Sequence, residues 1–183
     1  MPKKLKGKEW YTIVAPKLFK EKVIGETPVG DQKTLIGRKV DVNLISLIDD
    51  LSKYYLKFYF KANKIDGNKV HTEFDGFEVL RDYISRSIRY GIKRIDTVQD
   101  LKTKDGKNVR VKSIVITSKK IKKNVEIVLK EFIEDKLKKE IESNELDKLI
   151  KNVITDTIKT SILKEGSKVY PIRMFEIRKV EVE

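Results

Sequence analysis

Apolar residues along this chain keep to a two-residue period in its first half and to a three- and four-residue period further on, and the turns between runs carry proline or glycine. Trp10, Tyr11, Ile13 and Val14 predict a first strand, which ends at Ala15 because Pro16 has no amide for a ladder and biases the residue before it toward extended backbone. Residues 17–31 contain Pro28 and two glycines and predict a loop with a short extended piece over 23–27. From Gly37 to Leu44, Val40, Val42 and Leu44 alternate with Lys39, Asp41 and Asn43, the period of a half-buried strand. A short helical turn is expected over 46–52. Over 54–62 Leu56, Phe58 and Phe60 face away from Tyr55, Lys57, Tyr59 and Lys61, a side that suits either base stacking or an aromatic cross-strand cluster. Asp66-Gly67 predicts a hairpin turn into a return strand at 69–73, with His71 exposed on it.

The stretch Phe74 to Gly91 predicts a central amphipathic helix over 76–90. Asp75 and Glu78 have the spacing of a capping box, Phe74 and Val79 that of a hydrophobic staple, and Gly91 can supply a left-handed close. Phe77, Leu80, Ile84 and Ile88 would form its apolar stripe, leaving Arg81, Asp82, Ser85, Arg86 and Arg89 outside. Two strands follow, near 92–103 and 108–117, joined at Asp105-Gly106, a strong local hairpin signal. The period then turns helical. Val125, Val128, Leu129, Phe132, Ile133, Leu137 and Ile141 form a stripe capped by Thr117 or Ser118, Asn144 caps a second helix, and a third runs near 157–163 and stops at Gly166. A final strand over 172–182 returns to the sheet. The patterning thus divides the chain into an arm at 1–9, a β-rich core at 10–117 that contains helix 76–90, and a helical part with the last strand at 118–183, all packed as one compact unit.

Charge changes the picture from fold to partner. Lysine and arginine exceed aspartate and glutamate by 41 to 28, a net +13 over 183 residues, and such an imbalance repels itself unless a polyanion takes it up. With no cysteine and one histidine, disulfides, thiol nucleophiles and cysteine zinc sites are excluded. No apolar run approaches the roughly twenty residues of a membrane span, and MPKKLKGKEW lacks the apolar stretch of a signal peptide, so the expectation is a soluble, cytoplasmic protein without membrane contact.

The usual catalytic constellations are missing. In GETPVGDQKT, Gly25 to Thr34, Asp31 and Gln32 separate the second glycine from the lysine, which breaks phosphate-loop spacing. Asp49-Asp50 reads more naturally as turn chemistry than as a magnesium site, and His71 has no nucleophile at a telling spacing. Binding remains. Lys119, Lys120, Lys122 and Lys123 are the densest basic cluster and stand at a helix start, where the dipole gains nothing from cations. Together with the arm (Lys3, Lys4, Lys6, Lys8) and the arginine face, they supply charge on separated surfaces, as folded RNA requires.

Several residues in order make the sequence resemble a known family, the small-subunit ribosomal protein shared by archaea and eukaryotes and called the 3a protein in eukaryotes. They are Lys8, Trp10-Tyr11, Ala15-Pro16 and Phe19; Ile24-Gly25 and Thr27; Gly37-Arg38 with Val42 and Leu44; Phe74, Gly76, Arg81 and Asp82; Thr103, Asp105 and Gly106; and Tyr170-Pro171 with Arg178-Lys179-Val180. The resemblance implies an α+β fold with an antiparallel, barrel-like β core, the central helix and a C-terminal helical part. It also implies a place on the platform of the small subunit, with ribosomal RNA, neighbouring platform proteins and messenger RNA near its exit as partners, and no cofactor or metal. The close at Val180-Glu181-Val182-Glu183 matches the compact archaeal form. The expected RNA-binding set is Lys3, Lys4, Lys6, Lys8, Tyr11, Lys17, Arg38, Arg81, Arg86, Arg89, Lys93, Arg94, Lys119, Lys120, Lys122, Lys123, Arg178 and Lys179. The function expected is that of a structural, non-enzymatic constituent of the ribosome. The alternatives are a basic protein-binding module and an RNA-binding translation factor that joins the ribosome only transiently. Because residues 1–9 have almost nothing to bury, limited proteolysis of the isolated protein is expected to remove the segment before Trp10 first; an arm that survives digestion contradicts this.

Overall fold

The computed structural model of the chain describes residues 7–183; residues 1–6, and with them Lys3, Lys4 and Lys6 of the expected arm, lie outside the described residues. The described residues form eight strands, five α-helices and three single turns of 3-10 helix, the mixed α+β class that the patterning predicts. They divide into two compact units, residues 7–77 and 78–183.

The first unit contains β1 (Glu9–Val14), β2 (Val23–Val29), β3 (Lys39–Asn43), α1 (Leu44–Ile48), β4 (Leu56–Asp66) and β5 (Lys69–Val79), whose last two residues belong to the second unit. Its strands lie in the order β2-β1-β5-β4-β3. β1 and β2 pair antiparallel with Trp10 opposite Pro28, and β3 and β4 do so with Val42 opposite Phe58. β1 and β5 are parallel, with Ile13 opposite Val70, so one pair departs from the antiparallel pattern. The sheet is not closed, because β2 and β3 each pair with a single strand. The extended piece foreseen inside a loop at 23–27 is a full strand, since β1 offers it a partner along its length.

The alternation in β4 sends Leu56, Phe58 and Phe60 inward. Phe58 is wholly buried, with ring centroids 5.7 Å from Phe19, 5.7 Å from Phe74 and 5.6 Å from Phe77. Such a cluster gains edge-to-face and stacked ring contacts beyond its buried area. A neighbouring cluster joins Tyr11, Ile13, Val29, Leu35, Ala62 and Val70. His71 is half-buried rather than exposed.

The helix expected over 76–90 is replaced by the end of β5 and a shorter α2 (Arg81–Ser87). Buried positions in β5 run Val70, Thr72, Phe74, Gly76 and then change parity to Phe77 and Val79. That slip puts Phe74 and Phe77 three residues apart on one buried side, which imitates a helical step. The supposed capping carboxylate of Asp75 instead takes the Lys39 ammonium at 2.7 Å. α2 begins after Leu80 with no side-chain cap, and the predicted stripe breaks up: Phe77 and Ile84 are buried, while Leu80 and Ile88 are exposed. Gly91 does adopt a left-handed backbone, at φ +81°, but three residues beyond the end of the helix cap at Ile88.

In the second unit β7 (Asn108–Thr117) lies between β6 (Arg94–Lys102) and β8 (Ile172–Val182), antiparallel to both, so the last strand does return to pair. Three helices precede β8: α3 (Lys123–Ser143), α4 (Leu146–Ile154) and α5 (Thr157–Gly166). α3 packs on β6 and α5 through Leu129, Ile133, Leu137 and Ile141, a stripe at four-residue steps that is completely buried. Val128, expected in the stripe, is exposed. Two predicted caps are reassigned. Asn144 closes α3, its Nδ2 donating to the Glu140 carbonyl at 2.6 Å, and the amide of Leu146 at the start of α4 donates to Asp105 of the hairpin turn at 2.9 Å. Neither Thr117 nor Ser118 caps α3, whose cap residue is Lys122.

Truncating Phe58 to alanine removes the ring on which three others converge, and is expected to destabilise the protein by about 3–5 kcal/mol in chemical denaturation. Loss of less than about 1 kcal/mol would show that the aromatic cluster re-forms without it.

Candidate nucleic-acid interface

Four segments of the second unit meet where β6 starts, β7 ends, α3 starts and β8 starts, and the tie between them is Thr117. This fully buried residue donates its amide to the Lys93 carbonyl at 2.9 Å. Its hydroxyl accepts from the Lys93 amide at 3.1 Å and donates to the Lys119 carbonyl at 2.7 Å. Ser118 donates to the Pro171 carbonyl at 3.0 Å, and the Tyr170 hydroxyl donates to the Lys120 carbonyl at 3.0 Å. These bonds bring together Lys93, Arg94, Lys119, Lys120, Lys122 and Lys123, all exposed.

Two of the six are locally neutralised. Arg94 forks onto Asp96 at 2.7 and 2.8 Å, and this bond holds its guanidinium above its usual range. Lys93 reaches Glu126 at 3.4 Å. Lys119, Lys120, Lys122 and Lys123 have no ion-pair partner among the described residues. Crowding them just before and into the first turn of α3, where the helix dipole is positive, costs local stability that a bound polyanion would offset.

The other predicted residues fall elsewhere. Arg81, Arg86 and Arg89 are exposed on α2 and the loop after it. Arg178 and Lys179 on β8 are half-buried; with Arg81, Lys112, Glu78 and Asp82 they line a cleft of about 580 Å³, and the buried Nε of Arg178 has no acceptor among the described residues. Lys179 and Lys112 share Glu181, each at 2.7 Å, and the two bonds pull that carboxyl down to about 2. In the first unit Lys8 and Lys17 are exposed, and Arg38 donates to the Thr27 hydroxyl at 2.7 Å. Tyr11 is 1% exposed, its hydroxyl donating to Glu9 at 3.2 Å and accepting from Gln32 at 2.8 Å, so its ring is core and is out of reach of any base.

Tyr90 was missed by the sequence reading. It is wholly exposed in the loop between Arg89 and Gly91, and counting it inside a helix hid it. The signal was there in Arg-Tyr-Gly-Ile-Lys-Arg, an aromatic among cations beside a glycine.

Among the described residues the carboxylates singled out in the sequence have local structural partners. Asp49 pairs with Lys22 at 2.8 Å, and the Asp50 carboxyl is kept low first by the side-chain hydrogen bond from Ser52 and then by that from the Ser52 amide, at 2.9 Å; both are turn chemistry. No group of three potential metal ligands occurs among the described residues. Glu176, the one buried carboxylate among the described residues, accepts from Tyr83 at 3.3 Å and from Lys159, and burial pushes its pKa up; it ties α2, α5 and β8 together.

Comparison with known proteins gives the family. The model of the Ribosomal S3Ae family matches residues 2–183. Three proteins named small ribosomal subunit protein eS1 are similar along nearly the whole chain. That of Methanopyrus kandleri is 34% identical over 183 residues, covering 98% of this chain and 87% of its own. That of Sulfolobus acidocaldarius is 36% identical over 98% of this chain and 91% of its own, and that of Methanobrevibacter smithii 35% over 97% and 92%. The chain therefore belongs to the Ribosomal S3Ae family, a family of structural ribosomal proteins, and is not an enzyme.

The Glu181 pair gives the pH dependence a sign. Its carboxyl is depressed from 4.5 to about 2, first by the hydrogen bond from Lys112 and then by that from Lys179. The stability it contributes is complete above the unfolded value and is lost as pH falls from about 4.5 toward 2. Replacing Glu181 with Gln is expected to destabilise the protein at pH 6 and to keep only a minor part of that difference near pH 2.5 in urea titrations, whereas an equal difference at both pH values would mean that the carboxylate contributes nothing.

Proposed function

We propose that the protein is built into the small ribosomal subunit and holds ribosomal RNA through the basic end of its second unit. The carrying observation is the set of four lysines, Lys119, Lys120, Lys122 and Lys123, gathered without carboxylate partners among the described residues beside Lys93 and Arg94. Folding leaves these charges uncompensated; phosphates compensate them and release counterions. The names of the relatives support the small subunit as the site of assembly. The arginines of α2 and its following loop extend the same charge, and Lys8, Lys17 and Arg38 supply it from the first unit. Exposed Ile127 and Val128, in the second turn of α3, suit a neighbouring ribosomal protein on the platform, where the family resemblance also puts the messenger exit.

Converting the four lysines to glutamine is expected to lower the slope of log affinity against log salt for ribosomal RNA by about three, since each lost phosphate contact removes about 0.7–0.9. An unchanged slope would return the cluster to ordinary solvated surface.

A further inference from the structure

We propose that Tyr90 is a stacking platform for an unpaired RNA base, and that the basic end of the second unit therefore takes single-stranded RNA rather than duplex. This rests on the RNA-binding reading above and goes beyond it by specifying the strandedness of the ligand.

Among the described aromatic side chains only Tyr54 and Tyr90 are exposed. Tyr54 keeps 42% of its surface in solvent and sets its ring edge-on against Tyr55 at 5.9 Å. Tyr90 is 106% exposed and makes no ring contact or hydrogen bond among the described residues. A surface tyrosine ordinarily lays its apolar body on its neighbours and puts only the hydroxyl in water. Tyr90 holds its whole ring out, so the fold gains nothing from having an aromatic there.

Its surroundings indicate what would cover the ring. Arg89 precedes it, and Lys93 lies three residues on, which limits the separation to at most ~11 Å of extended chain. Lys93 is hydrogen-bonded through Thr117 to the backbone of Lys119. The bare aromatic face thus stands at the margin of the unpaired lysines, the combination of ring and backbone-tracking charge used to hold single strands. Duplex RNA does not meet that need: its bases are stacked on each other and its major groove is closed to side chains. An unpaired base offers both a free face and flanking phosphates.

The test compares wild type with Tyr90→Ala, Tyr90→Phe and Tyr90→Trp, using fluorescence anisotropy with a short single-stranded RNA and the same sequence as duplex, across a salt series. Y90A is expected to bind the single strand on the order of tenfold more weakly, with the salt slope unchanged, because stacking releases no counterion. Its duplex affinity should stay within about threefold of wild type, and Y90F and Y90W should bind the single strand as wild type does. A loss below threefold on the single strand, or an equal loss on both RNAs, overturns the proposal. So does a defect confined to assembly with purified ribosomal proteins, which would make Tyr90 a protein contact. The four-lysine variant separates the levels: if it keeps full RNA affinity, the underlying reading fails, whereas if it weakens binding and Y90A does not, only the stacking role fails. Because Tyr90 packs on nothing among the described residues, its replacement leaves the fold intact.

Discussion

One buried hydroxyl decides where the positive charge of the second unit accumulates. Thr117 ends β7 with its side chain fully enclosed, and its bonds to both sides of Lys93 and to Lys119 fix two basic segments against each other at the end of the β6–β7 ladder. In water such a hydroxyl would be worth little. Enclosed, it has no other partners, and removing it while the site stays closed would leave the Lys93 amide unsatisfied at a cost of about 1–3 kcal/mol. The cationic surface is thus maintained by a neutral interaction, which salt does not screen.

The contrast with the rest of the surface explains why a net charge of +13 does not spread evenly. Arg94, Arg110, Lys112 and Lys179 all lie beside acceptors along the strands, at Asp96, Asp100 and Glu181. Each of these four strand cations has a carboxylate two residues or a rung away. At the approach to α3 four lysines within five positions have none among the described residues, so that stretch carries a dense local surplus.

What the sequence disclosed followed from how local each determinant is. The hairpin around Asp105-Gly106 and the strand at Ile172–Val182 fell where patterning predicted, because a left-handed glycine and a strict alternation need no distant information. The buried stripe of α3 was likewise written in its period. The failures lie where a remote partner overrules a local signal. Phe74, Asp75 and Glu78 spell a helix start until Phe58 and Lys39 claim the first two for a strand. Tyr11 sits among lysines in sequence, yet its ring is core because β2 and the turn after it close over it. Of the candidate site, the lysine cluster was legible as composition, but its joining to Lys93 was not. That joining depends on a threonine that the sequence offered as a helix cap.

The parallel pairing of β1 with β5 governs the order of events on the way to the native state. Thr12 to Val14 align with Lys69 to His71, more than fifty positions away, and no local turn can deliver that alignment. The β4–β5 turn at Asp66-Gly67 closes within a few residues, so it forms an edge early and at small entropic expense. The β1–β2 ribbon must then find that edge by diffusion of a long loop. On loop-closure entropy alone, a segment made early in synthesis is consequently placed only after the later β4–β5 hairpin has given it an edge.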